Sequence, residues 1–532
     1  MRYYRSARIF TGVDETTFVT AFAVEGGRFV WTGDAADIPH GADVVDLVAP
    51  VVLPGLIDAH THPTFIAMTV DAVACTVPFV HSIPDMVDAL RRHPNVGKSD
   101  TDWIEGWGYD ESKLDERRTP TRHDLDLVST TQPVYVLRSD CHSGICNTRA
   151  LELAGITAST PDPHHAHFGR DADGSPNGVL VEHAANQRVI QAKGSAGYDA
   201  EVEALTRTTA HFSARGIVAC TDMFCIPVEF AQLDLYRDAH ARGFKQCARI
   251  FYDFESIQRR PVPPVTAADR TGRVAIAGIK LFIDGSISNR TAWMREPYPG
   301  TTDDVGMRTC PPELMADALA FARANHLQIA VHAMGDRAIE EVVDVYGDEE
   351  PWLEGIPSVR IEHASILSRE LITRIREARM QFGVVTNIDF FFAEHDSYAV
   401  NLTQAQYDRT YPVRDLYEQV PAFALSSDCP ATTWADPDNP FMSIQAAVTR
   451  TAYNGADIVA DQAITVPQAV LLYTGRARRV GEMPLIGLIA PGYEASFITL
   501  SDDVFTIDPE SIIDVRVTGT WIEGEQVHSL SP

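Results

Sequence analysis

The chain has 532 residues, 45% hydrophobic and 22% charged, with a formal net charge of −29. That balance suits a packed enzyme rather than a disordered chain, and it argues against nucleic acid or an anionic membrane as a partner, because a polyanion would be repelled. The opening MRYYRSARIFTG holds no signal-peptide core, and about 18 uncharged apolar residues never run together, so a cytoplasmic location without a membrane span is expected.

In chain order, the first fifty residues predict short strands broken by Gly and Asp: ARIFTG, TAFAVEGGRFVWTG and VVDLVAPVVLPG. The same idiom returns at the end in APGYEASFITLSDD, DVRVTGTWIEG and EQVHSL. A small β-sandwich built from residues 1–53 and 481–532 is therefore expected. Between the ends, eight apolar runs alternate with stretches of helical length. They are PGLIDAH (54–60), GIVACTDM (216–223), CARIFYDF (247–254), GIKLFIDG (278–285), QIAVHA (328–333), VRIEHA (359–364), QFGVVTN (381–387) and AFALSSD (422–428). This is the grammar of an α/β protein with a (β/α)8 TIM-type barrel over 54–480, whose active site is built at the C-terminal ends of the strands. Those ends read His60, Asp222, Asp253, Lys280 with Asp284, His332, His363, Asn387 and Asp428. The stretch from 64 to 212 is too long for one helix and is expected to form an inserted subdomain.

His60 and His62 are two apart on a strand, so both imidazoles face one way and can grip one cation. Such a pair is a weak signal alone. His332 and His363 each close a strand; singly, either reads as a core histidine bonded to a carbonyl, but together with the pair the ligand reading is favoured. Lys280 is one of only five lysines among 44 cationic residues. One reading sends its ammonium to a carboxylate such as Asp284. The other uses the ease with which a buried lysine loses its proton, so that the neutral amine takes up carbon dioxide as a carbamate able to bridge metals, which arginine cannot do. Asp428 closes the last strand, either as a metal-binding carboxylate that relays a proton or as a helix N-cap. The eight cysteines show no CxxC pair, which speaks against a disulfide framework.

With these residues in place the chain resembles the amidohydrolase superfamily, in the family 3 branch that includes N-substituted formamide deformylases. The matching segments run nearly end to end: LPGLIDAHTHP (53–63), WIEGWGYDESKL (103–114), VYVLRSDCHSGICNTRAL (134–151), GSPNGVLVE (174–182), IKLFIDGSISNRTA (279–292), VHAMGDRAI (331–339), RIEHAS (360–365), SSDCP (426–430) and NPFMSIQAAVTR (439–450). The resemblance implies a metal set of His60, His62, Lys280, His332, His363 and Asp428. Two zinc ions per chain, or a single divalent ion, would serve hydrolysis of a C–N bond in a small amide or formamide through metal-bound hydroxide, with Asp428 and Lys280 as the catalytic pair. Asp58 is expected to orient a ligand histidine. His142, Tyr109, Asp110 and Arg290 are candidate substrate contacts; Cys141 stands where Gly more often precedes the histidine. A mononuclear deaminase or esterase, and a silent small-molecule-binding homologue, are the alternatives. A homodimer is the common assembly for such enzymes.

Overall fold

The computed structural model describes residues 1–139, 143–163, 166–194, 197–226, 231–260, 264–483 and 485–530. The chain divides into two compact units. The first takes in Met1–Thr64, Leu205–Asp428 and Asp438–Pro532; the second takes in Phe65–Ala204 and Cys429–Pro437.

In the first unit eight parallel strands run in sequence order: β1 (Leu56–Thr61), β2 (Ile217–Cys225), β3 (Cys247–Asp253), β4 (Val274–Phe282), β5 (Gln328–Ala333), β6 (Val359–His363), β7 (Gly383–Thr386) and β8 (Phe423–Leu425). Nearly every residue in them is buried, as strands covered on both faces must be, and this is why they read as unbroken apolar runs. Helices cover the outside with apolar stripes. Asp336–Tyr346 buries Ala338, Ile339, Val342, Val343 and Tyr346. In Arg369–Glu377, the Ser368 hydroxyl accepts from the Leu371 amide to start the helix, and Leu371, Ile372 and Ile375 turn inward.

β1 and β8 share no ladder, and other bonds close the barrel. The Asp428 amide donates to the His60 carbonyl at 2.8 Å. The Ser427 hydroxyl donates to Asp58 Oδ2 at 2.6 Å and its amide to Oδ1 at 3.2 Å. Similar contacts join the neighbouring strand ends: Thr386 donates to the His363 carbonyl at 2.6 Å, and Asn387 to the Ser426 carbonyl at 3.2 Å.

The chain ends meet in one eight-stranded sheet. Its order is Glu525–Ser529, Val517–Ile522, Phe497–Leu500, Val52–Pro54, Arg2–Phe10, Phe18–Glu25 and Arg28–Gly33, with Val44–Asp46 also paired to Arg2–Phe10. Gly26 and Gly27, at φ 57° and 75°, supply the left-handed pair that a two-residue hairpin needs. The core of the sheet draws Phe22 and Phe29 from one end of the chain and Phe497 and Trp521 from the other; the last two stack at 4.6 Å.

The second unit carries a six-stranded sheet of its own, ordered His167–Arg170, Pro176–Val181, Gly144–Cys146, Val134–Arg138, Ile104–Tyr109 and Val73–Ala74. The seven described cysteines are free and buried. No described helix is long and apolar enough to cross a membrane.

Inside the barrel, Gly278 on β4 leaves room for the Phe251 ring of β3: a Cβ there would sit 2.1 Å from Phe251 Cε1 and 2.7 Å from the Gln328 carbonyl oxygen. Gly278→Ala is therefore expected to lower the midpoint of chemical denaturation by the equivalent of about 1–3 kcal/mol, the usual cost of overpacking. An unchanged midpoint would show that Phe251 moves aside without cost.

Candidate active site

At the C-terminal ends of the strands, basic side chains surround one carboxylate. Asp428 follows β8 with a left-handed backbone, φ 51°, which turns its carboxylate back over the barrel. Oδ1 lies 2.8 Å from His62 Nε2 and 3.2 Å from His60 Nε2, and Oδ2 lies 3.8 Å from His363 Nδ1. The His60 and His363 rings are 4.8 Å apart, and His363 and His332 are 4.3 Å apart. Lys280 Nζ sits 3.4 Å from His60 Nε2. All six candidate ligands thus share one end of the barrel.

Each imidazole has one nitrogen aimed into this cluster or left over for it. His60 Nδ1 is bonded at 2.7 Å to Glu362, which leaves Nε2 facing Asp428 and Lys280. His363 Nδ1 contacts Asn387 Oδ1 at 3.0 Å, and His332 Nε2 donates to the Gly285 carbonyl at 3.0 Å, leaving its Nδ1 as an acceptor. His62 Nδ1 faces Asp222 at 3.9 Å, and Asp222 is fixed in turn by the Tyr236 hydroxyl at 2.7 Å and by Thr64 at 3.1 Å. His60, His363 and Asp428 offer ligand atoms all within 4.8 Å of one another. Imidazole nitrogens and a carboxylate oxygen at that spacing, oriented by outer hydrogen bonds, fit a divalent ion of the zinc type.

Burial dominates the electrostatics. It pushes His332 down to about 4, reinforced by Lys280, and His363 well below the ordinary histidine value. Both imidazoles are therefore neutral, as a metal ligand must be. Burial lowers Lys280 to about 8, partly offset by Glu362 and Asp428. No carboxylate forms an ion pair with Lys280 among the described residues: Asp284 instead accepts from the backbone amides of Trp293, Met334 and Gly335. Burial opposes ionisation of Asp428, but His60, His62 and His363 outweigh it and hold the carboxyl well below the usual range. Asp428 does not cap a helix; the next one, Pro440–Thr449, is capped by Asn439.

Asp58 was expected beside a histidine side chain, yet its carboxylate serves Ser427 and the His60 amide, and burial raises it to about 7. The residue that orients His60 is Glu362, and the sequence reading passed over it. Glu362 is wholly buried and gripped by Arg360 through Nε at 2.7 Å and Nη2 at 3.0 Å; Arg360 also donates to the Ala59 carbonyl at 2.8 Å.

Of the candidate substrate contacts, Arg290 is occupied within its own loop. It donates to the Pro299 carbonyl at 3.3 Å, lies 3.5 Å from Asp304 and covers the Tyr298 ring at 5.2 Å. Tyr109 belongs to the core of the second unit with Cys75, Ile83 and Leu90. The Asp110 carboxylate accepts from the Ser112 amide at 2.8 Å. His142 lies outside the described residues.

The profile described as Amidohydrolase family matches residues 43–528. N-substituted formamide deformylase of Arthrobacter pascens is 26% identical over 521 residues, which is 95% of this chain and 94% of that protein. An uncharacterized metal-dependent hydrolase from Pyrococcus horikoshii OT3 superposes with a TM-score of 0.74 at 23% identity, covering 96% of this chain and 99% of that one. Atrazine chlorohydrolase TrzN from Arthrobacter aurescens TC1, solved with zinc, shares the fold at a TM-score of 0.52 and 13% identity, over 99% and 95% of the chains. The chain belongs to the amidohydrolase family. It is a hydrolase.

Glu362 provides a test of the buried framework. Burial works against its charge, but Arg360 and then His60 hold it at about 2, below its ordinary 4.5. A depressed carboxyl stabilises the fold fully above its unfolded value and loses that contribution as pH falls through the folded one, here from about 4.5 to about 2. Glu362→Gln strands Arg360 without its counter-charge and is expected to cost about 3–5 kcal/mol. Its acid-unfolding curve should also be flatter than wild type in that window. Equal acid sensitivity in both proteins would refute the ion pair.

Proposed function

We propose that the protein is a metal-dependent amidohydrolase that cleaves a C–N bond in a small amide or formamide, the chemistry named for its deformylase relative. The observation that carries this reading is the convergence of His60, His363 and Asp428 ligand atoms within 4.8 Å, with Lys280 and the two remaining histidines at the rim.

His60, His62 and Asp428 would hold one divalent ion and His332 and His363 a second, with carboxylated Lys280 between them. Zinc suits this donor set. When bound, such ions supply Lewis acidity and make water a nucleophile near neutral pH. The protein's own part is proton handling and orientation. Asp428 has one oxygen toward His60 and His62 and the other toward His363. It can therefore hold position through one oxygen while the other takes the proton of the attacking water and passes it to the departing nitrogen. Glu362 and Asn387 fix the rings of His60 and His363, so the nucleophile and the scissile carbonyl meet in one geometry. A single-ion enzyme is the second reading, favoured by the fact that one trio alone satisfies the spacing among the described residues.

Metal analysis of the purified protein is expected to find about two ions per chain if Lys280 bridges; one would support the second reading, and none under any loading condition would remove both. Lys280→Arg keeps the charge but cannot form a carbamate, so full metal content and full activity in that variant would eliminate the bridge. Asp428→Asn should lose about 10²–10⁴-fold in kcat with little change in fold. Substrates are to be sought among formamides, N-acyl amines, carbamates and cyclic amides.

A further inference from the structure

Among the described residues, those of the eight barrel strands are buried with three exceptions. Phe224 near the end of β2, Phe282 at the end of β4 and His332 in β5 are partly exposed. The three are not scattered. The Phe224 and Phe282 rings meet edge to face at 5.3 Å with their planes at 90°, and Phe282 lies 5.4 Å from the His332 ring. His332 in turn is 4.3 Å from His363, so a line of rings leads outward from the histidine cluster. Phe282 stands two residues beyond Lys280, hence on the same face of β4 and nearer the mouth, and Lys280 Nζ lies 5.1 Å from its ring centre. The ladder of β2 on β3 shifts register between Asp222 and Cys225, an irregularity of the kind that re-aims a side chain at a barrel rim, and Phe224 sits within it.

Single exposed rings are ordinary on any protein surface. Two in contact, at the strand ends where a barrel does its chemistry, are the apolar lining of a ligand site. Their edge-to-face pairing leaves a corner made of one ring face and one ring edge. A third aromatic ring completes that corner by setting edge against face in turn, an attraction that a saturated ring of the same size lacks. On the reading that the protein hydrolyses an amide or formamide, we propose that Phe224 and Phe282 determine its specificity by holding an aryl group carried by the substrate beside the scissile C–N bond. The 5.4 Å between Phe282 and His332 sets that aryl group next to the reacting carbonyl rather than at the end of a long chain. Binding would take both rings out of water at the moment the carbonyl reaches the histidines.

The test uses the metal-loaded full chain and a pair of probes, benzohydroxamate and its cyclohexyl counterpart, which share a chelating group and a carbon count and differ in aromaticity. Calorimetry is expected to show the phenyl compound binding about two- to tenfold tighter. Phe224→Leu and Phe282→Leu should each bring that ratio to about one, while metal content and affinity for the cyclohexyl compound stay within about twofold of wild type. If Phe282→Leu disturbs His332 or fails to fold, Phe224→Leu decides the matter, because its ring meets Phe282. Equal affinities in the wild type, no binding of either compound, or a preference that survives substitution would overturn the proposal. Turnover separates it from the reading it rests on. A binding preference without hydrolysis of any amide or formamide counts against that reading and for the aryl subsite, whereas hydrolysis of phenyl and cyclohexyl formamides at the same kcat/KM counts against the subsite alone.

Discussion

The active end of this barrel depends on a row of buried polar groups, each bonded to or facing the next. Arg360 grips Glu362, Glu362 holds His60, and His60 faces Asp428. None of the four is more than 6% exposed, so each must be matched by its neighbour, because a buried polar or charged group left without a partner is costly. The row crosses from β6 to β1 and on to β8, and so joins strands that no backbone ladder connects. Removing a member leaves a neighbour stranded, and this makes the arrangement discrete rather than adjustable.

The same strand ends carry backbone strain. His363, Ala364 and Asp428 all have positive φ, at 67°, 43° and 51°, which for residues other than glycine costs about 1–3 kcal/mol each. Side chains hold the strain in place: Thr386 holds the His363 carbonyl, Asn387 bonds both the His363 ring and Ser426, and Ser427 bonds Asp58. The purpose is visible in Asp428, since an extended residue continuing β8 would point along the strand instead of back over the histidines.

These two features also explain how far the sequence could be read. The eight parallel strands were legible because burial on both faces leaves unbroken apolar runs, and each run coincides with a barrel strand to within a few residues. Glu362 was not legible. In a regular strand adjacent residues face opposite sides, so Glu362 and His363 should diverge; the left-handed turn at His363 brings both to His60. Asp58 was misread for a related reason, because its partner Ser427 is supplied by barrel closure across 369 residues of sequence. Asp222 and Asn387 showed only as strand-end residues, and their pairing with His62 and His363 emerges from the fold. The continuity of the two chain ends in one sheet likewise needs the barrel between them to set the register of Phe497–Leu500 on Val52–Pro54.

Arg360 and Lys280 share this interior but do different work. Arg360 spends its fixed charge on Glu362, on the Ala59 carbonyl and on the Phe251 ring, which it covers at 5.5 Å. A guanidinium keeps its proton in any protein environment, so it can anchor a permanent ion pair. Lys280 lies a short way along the same barrel and meets no carboxylate within ion-pair distance among the described residues; burial draws its pKa down to about 8. An amine so placed gives up its proton more readily than an exposed lysine does.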